Sequence, residues 1–227
     1  MATTTGSNQS QQIANEQGGV IPSQRSLPGW TLFLLVFIAG AASLSVEMCA
    51  SRLLAPYFGT TLFVWANLIG LILLYLTVGY YIGGRISDRH PSPVILCGLT
   101  ALSALFIGII PILARPILRW SLTSFATYSI GIFYGSLISV ILLFAIPTML
   151  LGCVSPFAIR LSVAQVGRSG RIAGLLYAIS TAGSIVGTFL PVLVLMPDLG
   201  TNQTIELTGL ILLLMSILGL LLSRKPA

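Results

Sequence analysis

Glu47 and Arg52, in the stretch VEMCASRLLAPYFG, put an acid and a base inside one long apolar run. A charged side chain costs about 2.5 to 3.5 kcal/mol at the centre of an inserted helix, so such a pair defaults to a solute or proton site. The competing reading is a buried polar network that fixes helix packing. Five residues turn a helix by about 500°, which leaves Glu47 and Arg52 about 140° apart, and they need not pair with each other. Arg52 lies nearer the end of the run and can snorkel to the surface. Glu47 needs a donor on another helix, and Asn67, Tyr177 and Thr188 qualify by type. Asp198 and Glu206 flank a later break in the apolar pattern, toward the same side of the chain's path. Together these groups are compatible with a small outward-facing polar pocket.

Other chemistry is sparse. There is no HExxH, no GxSxG, no paired intramembrane Asp and no His near a Ser, so an intramembrane enzyme is the weakest reading. His90 is the one histidine and sits in a polar loop, which argues against a metal site. Cys49, Cys97 and Cys153 lie in or at the ends of apolar runs without CxxC spacing and read as packing residues. No cofactor is expected.

These residues need helices to hold them, and the composition says where those helices lie. Of 227 residues, 56% are apolar and 7% charged, with a mean hydropathy of +0.99. Soluble domains carry about 25% charged residues, so the chain is an integral membrane protein in contact with lipids. Six runs approach the roughly 20 apolar residues a crossing needs: 31–54, 62–84, 94–114, 128–151, 172–196 and 205–222. Residues 1–29 form a polar tail rich in Thr, Ser, Gln and Asn, residues 30–223 the membrane domain, and 224–227 a short cytoplasmic end. The tail lacks the pattern of a signal peptide.

Placing the N-terminus inside puts eight Lys or Arg in cytoplasmic segments (Arg25, Arg85, Arg89, Arg160, Arg168, Arg171, Arg224 and Lys225). Only Arg115 and Arg119 fall in outer loops. Both termini are therefore expected in the cytoplasm, with the chain in the cell's inner membrane. The net charge of +6 is mostly this bias and needs no nucleic acid. The run from Tyr128 to Leu161 exceeds one straight span, which predicts a kink near Pro147 and a short amphipathic piece at SPFAIRL. PILRWSLTSF reads as an outer interfacial segment.

Small and polar stripes mark packed faces, because lipid gives helices no hydrophobic reason to associate. Span 5 carries Tyr177, Ser180, Thr181, Ser184 and Thr188 on one face. Gly174, Ala178 and Ala182 lie on one flank of that face, and the Gly183 and Gly187 pair on the other. This predicts a central helix. Span 6 shows no comparable stripe in ILLLMSILGLLL and is expected at the periphery. Gly40, Ser43, Glu47 and Ser51 form a stripe on span 1. Gly79 with Gly83 on span 2, and Gly131 with Gly135 on span 4, are further close-packing pairs.

Three stretches carry a resemblance to a known family: EMCASRLLAPYFGTTLFVWANLIG, GYYIGGRISDR, and IPTMLLGCVSPFAIRL followed by GRIAGLLYAISTAGSIVGTFLPVLVLMPDLGT. They resemble the membrane domain of membrane-bound, spermidine-synthase-like proteins, in which a transporter-like half is fused to a spermidine synthase. Gly84, Asp88 and Arg89 also look like the loop signature of major-facilitator proteins, although a charged cytoplasmic turn explains them equally. The resemblance implies an all-α, six-helix, major-facilitator-like half. Fused members continue into a Rossmann-like aminopropyltransferase domain, whereas no Gly-rich loop follows a strand pattern in these 227 residues. The expectation is thus a non-catalytic membrane subunit or anchor. Its tail and glycine-rich faces would engage other protein subunits, and its cytoplasmic end a separately encoded synthase-like enzyme. The alternative is a half-size transporter for a small cationic solute such as a polyamine, lined by Glu47, Glu206 and the span 5 hydroxyls.

Overall fold

The computed structural model describes residues 27–125, 131–162 and 169–223, which hold helices and no strand. In chain order these are α1 (Gly29–Phe58), α2 (Leu62–Arg89), α3 (Pro93–Phe125), α4 (Gly131–Gly152), α5 (Val154–Ser162) and α6 (Ser169–Leu190). A π-helical turn at Pro191–Leu195 leads into α7 (Met196–Leu199) and α8 (Thr201–Ser223). Six stretches are long and apolar enough to cross a membrane: α1, α2, α3, α4 with α5, α6 through α7, and α8. The protein is a multi-pass, all-α membrane protein.

Turn chemistry sets the breaks. Gly59, at φ 73°, ends α1 in a backbone conformation that side chains with a Cβ rarely adopt. Pro91 and Pro93 end α2 and open α3. α3 then runs unbroken for 33 residues through Pro111 and Pro116. At about 1.5 Å per residue it is longer than the hydrocarbon layer is thick, so PILRWSLTSF forms the last turns of this helix and not a separate surface segment. α4 likewise continues through Pro147, and the chain breaks at Cys153 before α5, the short piece anticipated at SPFAIRL. Residues 1–26 of the polar tail, Arg25 among them, and Tyr128, Arg168, Arg224 and Lys225 lie outside the described residues.

α1 is the hub. Leu35, Cys49, Ala50 and Leu54 are fully buried along it, and every other spanning helix packs on it to some extent. α2 packs mainly on α4 through glycines. A Cβ on Gly79 would meet the backbone of Met149 and Gly152, and one on Gly83 would meet Cys153. Gly135 makes room for the ring of Phe58, and Gly131 opens α4 half-buried. Contacts along these pairs run in parallel for α1 with α6 and for α2 with α4, and antiparallel for α3 with α8. Those are the directions that alternate crossings require.

Two expectations about position are reversed. Among the described elements α6 packs on α1 and otherwise touches only α5 and the adjoining π turn, so it sits at their edge. The hydroxyls that suggested a central helix do not reach several neighbours: Thr188 donates within α6 to the Ser184 carbonyl at 2.9 Å, and Ser184 donates across to the Gly40 carbonyl of α1 at 3.2 Å. α8 is the better-packed helix, held against α3 and α1. Ser216 donates to Thr100 Oγ1 at 2.8 Å, Thr208 and Ser45 share a 2.8 Å bond, and Gly209 and Gly219 face Ala104 and Cys97. Its packing stripe is Thr204, Thr208, Leu212, Ser216 and Gly219, at steps of four and three.

Candidate functional site: a seam along the first helix

α2 and α6 both lie against α1 without packing on each other, which leaves a seam with α1 as its floor. Two cavities open along it. One, of about 100 Å³, lies between Gly40, Ser43 and Leu44 of α1, Tyr80 of α2, and Ser180 and Ser184 of α6. The second, of about 390 Å³, lies between Met48, Ser51 and Arg52 of α1, Trp65 and Leu68 of α2, and Val192 of the π turn. Glu47 sits between them in sequence, three residues past Leu44 and four before Ser51, on the helical line that both cavities share. Of its stripe, Gly40, Ser43 and Ser51 line the cavities, and Glu47 lies between the two without lining either.

Glu47 is half-buried and makes no hydrogen bond or ion pair with any described residue. The donors expected for it are engaged or elsewhere. Asn67 is 6% exposed and bridges α2 to α4, donating to the Phe133 carbonyl at 2.9 Å and to Ser136 Oγ at 2.8 Å. Thr188 is bonded within its own helix. Tyr177 is exposed and lines neither cavity of the seam. Glu206 and Asp198 are exposed and line neither cavity. The eight residues read together in the sequence therefore divide. Ser180 and Ser184 join the Glu47 seam, Arg52 reaches its far end, Asn67 belongs to a helix-packing bridge, and Tyr177, Thr188 and Glu206 are not part of one network.

The seam's larger cavity holds a cation of its own. Arg52 is exposed and has no ion-pair partner among the described residues. Its charge disfavours a cationic solute at that point. Trp65 and Tyr80 were missed from the sequence, because on α2 they fall among exposed apolar residues with no polar spacing to single them out.

At the other end of the bundle the loop motif resolves into surface contacts. Asp88 pairs with Arg160 at 3.4 Å, with both side chains exposed, and ties α2 to α5. An exposed pair of this kind contributes roughly 0 to 1 kcal/mol. Arg85 donates to Tyr81 Oη at 3.0 Å, Arg89 is exposed, and a Cβ on Gly84 would meet only Pro156 at an ordinary 3.9 Å.

The second feature that bears on function is the outer flank of α6. Gly183 and Gly187 press on the Phe37 and Ala41 backbone, so that flank is consumed by α1. Gly174, Ala178 and Ala182, four residues apart on the other flank, are exposed, and a Cβ built on Gly174 meets nothing within 4 Å. The same helix thus carries two small-residue tracks, one filled and one empty. No family model, curated protein or solved structure matches the chain.

Proposed function

We propose that this protein is a non-catalytic membrane subunit, an anchor that packs through the open flank of α6 against a transmembrane helix of a partner. The observation that carries this reading is the pair of tracks on α6. One track shows how closely this helix is built to be approached, and the other offers the same small-residue spacing with nothing on it. Small residues at four-residue steps let backbones approach closely, which is how helices associate in lipid. The resemblance to the membrane half of spermidine-synthase-like proteins supports the reading, and it makes a synthase-like enzyme a partner to look for at the inner-membrane cytoplasmic face. The test is the mass of the particle extracted in mild detergent. The full chain should travel with additional protein, and Gly174→Leu should reduce it to a single chain. A wild-type particle holding one chain would overturn the proposal.

A second reading, a half-size transporter for a small cationic solute, is favoured by one observation: Glu47 without a bond, beside two cavities. Arg52 in the larger cavity counts against it. Flux in proteoliposomes that Glu47→Gln abolishes would make it the better reading. Absence of flux with a change in thermal stability alone would remove it.

A further inference from the structure

A third cavity, of about 320 Å³, opens between α1, α3 and the start of α8, and two arginines from different helices line it. They are Arg52 of α1 and Arg115 of α3. Both are exposed, and neither has an ion-pair partner among the described residues. Two like charges converging on one cavity repel each other unless an anion lies between them. No described acid supplies it: Glu206 and Asp198 are exposed and pair with neither arginine. The polar remainder of the wall is Tyr57 together with Thr201 and Asn202, the first residues of a 23-residue helix. Its first backbone N–H groups have no partner within the helix and carry partial positive charge. Below the polar rim the wall is apolar, with Leu53 and Leu118. Arginine's planar donor fork matches a phosphate's oxygens, and the apolar floor suits a hydrocarbon attached to it.

We infer that this cavity is a phosphate-anion site, with Arg52 and Arg115 as the binding pair, and that the phosphate belongs to the headgroup of an anionic phospholipid at this side of the membrane. A free phosphate would meet the same polar groups and leave the apolar floor unused. The site is independent of the α6 flank.

The test uses the purified full chain in detergent. Native mass spectrometry would be run with added phosphatidylglycerol, with phosphatidylcholine, and with phosphatidylglycerol in excess inorganic phosphate. Phosphatidylglycerol should be retained in preference to phosphatidylcholine. Each of Arg52→Gln and Arg115→Gln should weaken that retention about fivefold, the factor expected for about 1 kcal/mol per basic residue near a headgroup. Arg52→Lys, which keeps the charge and loses the fork, should recover part of it. Arg119→Gln removes a charge from the same helix end but from outside the cavity wall, and should bind as the wild type. If inorganic phosphate displaces the lipid from wild type and not from Arg52→Gln, the site stands and its natural occupant is a soluble phosphate. Equal retention in wild type, Arg52→Gln and Arg115→Gln would overturn the inference. So would an equal loss in Arg119→Gln, which would show a diffuse charge effect. Helical content by circular dichroism identifies any variant that loses its fold, and for such a variant Arg52→Lys decides.

Discussion

Asn67 and Glu47 show how differently two polar residues inside apolar helices can be used. Asn67 spends its amide donors on Phe133 and Ser136 of α4, and in doing so fixes the register of two parallel helices. Interhelical hydrogen bonds in membranes average about 0.6 kcal/mol each, so Asn67→Ala should cost about 1 kcal/mol, read as a lowered unfolding midpoint in detergent. An unchanged midpoint would mean that the close glycine contacts of Gly79 and Gly83 with α4 and Cys153 hold the junction without it. Glu47 has no comparable partner among the described residues. If its role is packing alone, Glu47→Gln should leave stability equal or higher, because an uncompensated intramembrane charge is removed. A clear loss of stability would reveal a donor among residues not described. The presence of a polar group at each position was legible in the sequence. Its partner was not, because type and spacing along one helix say nothing of the rotation of the next.

Among the elements, α6 and α8 exchanged the places expected of them. Hydroxyls on α6 looked like interhelical glue, yet a serine or threonine can bond the carbonyl one turn back, as Thr188 does, and then demands no neighbour. α8 was judged on ILLLMSILGLLL, whereas its packing face begins earlier, at Thr204 and Thr208, and runs to Ser216 and Gly219. The glycine pairs were the more reliable signal: Gly79, Gly83, Gly183 and Gly187 all mark close crossings. Two substitutions on α6 should therefore separate. Gly187→Val places its Cβ against the Ala41 backbone, where no side chain can yield, and should destabilise the single chain by about 1 to 3 kcal/mol or more. Gly174→Leu meets open space and should leave the unfolding midpoint of the isolated chain unchanged while weakening its association. On α8, Ser216→Val removes the donor to Thr100 and crowds a fully buried site, so the antiparallel α3 and α8 pair should lose stability as well.

For the molecule as a whole, the number of spans and the all-α class followed from hydropathy alone, because lipid leaves the backbone no choice but to satisfy itself within helices. The arrangement of those helices did not follow. It depends on which of several small-residue tracks meets which, and α6 carries two of them. α1, with the acid and the base that first drew notice, is the scaffold on which the rest is laid, and the seam beside it ends at Arg52. If α6 is a docking helix, its empty small-residue track receives a partner helix. A photo-reactive side chain placed at Ala178, compared with one at Ile141 on the exposed face of α4, tests it in the native membrane. Position 178 should give one discrete protein adduct that Gly174→Leu abolishes, and position 141 should give none. Equal labelling at the two positions, or labelling of lipid alone at both, would contradict it.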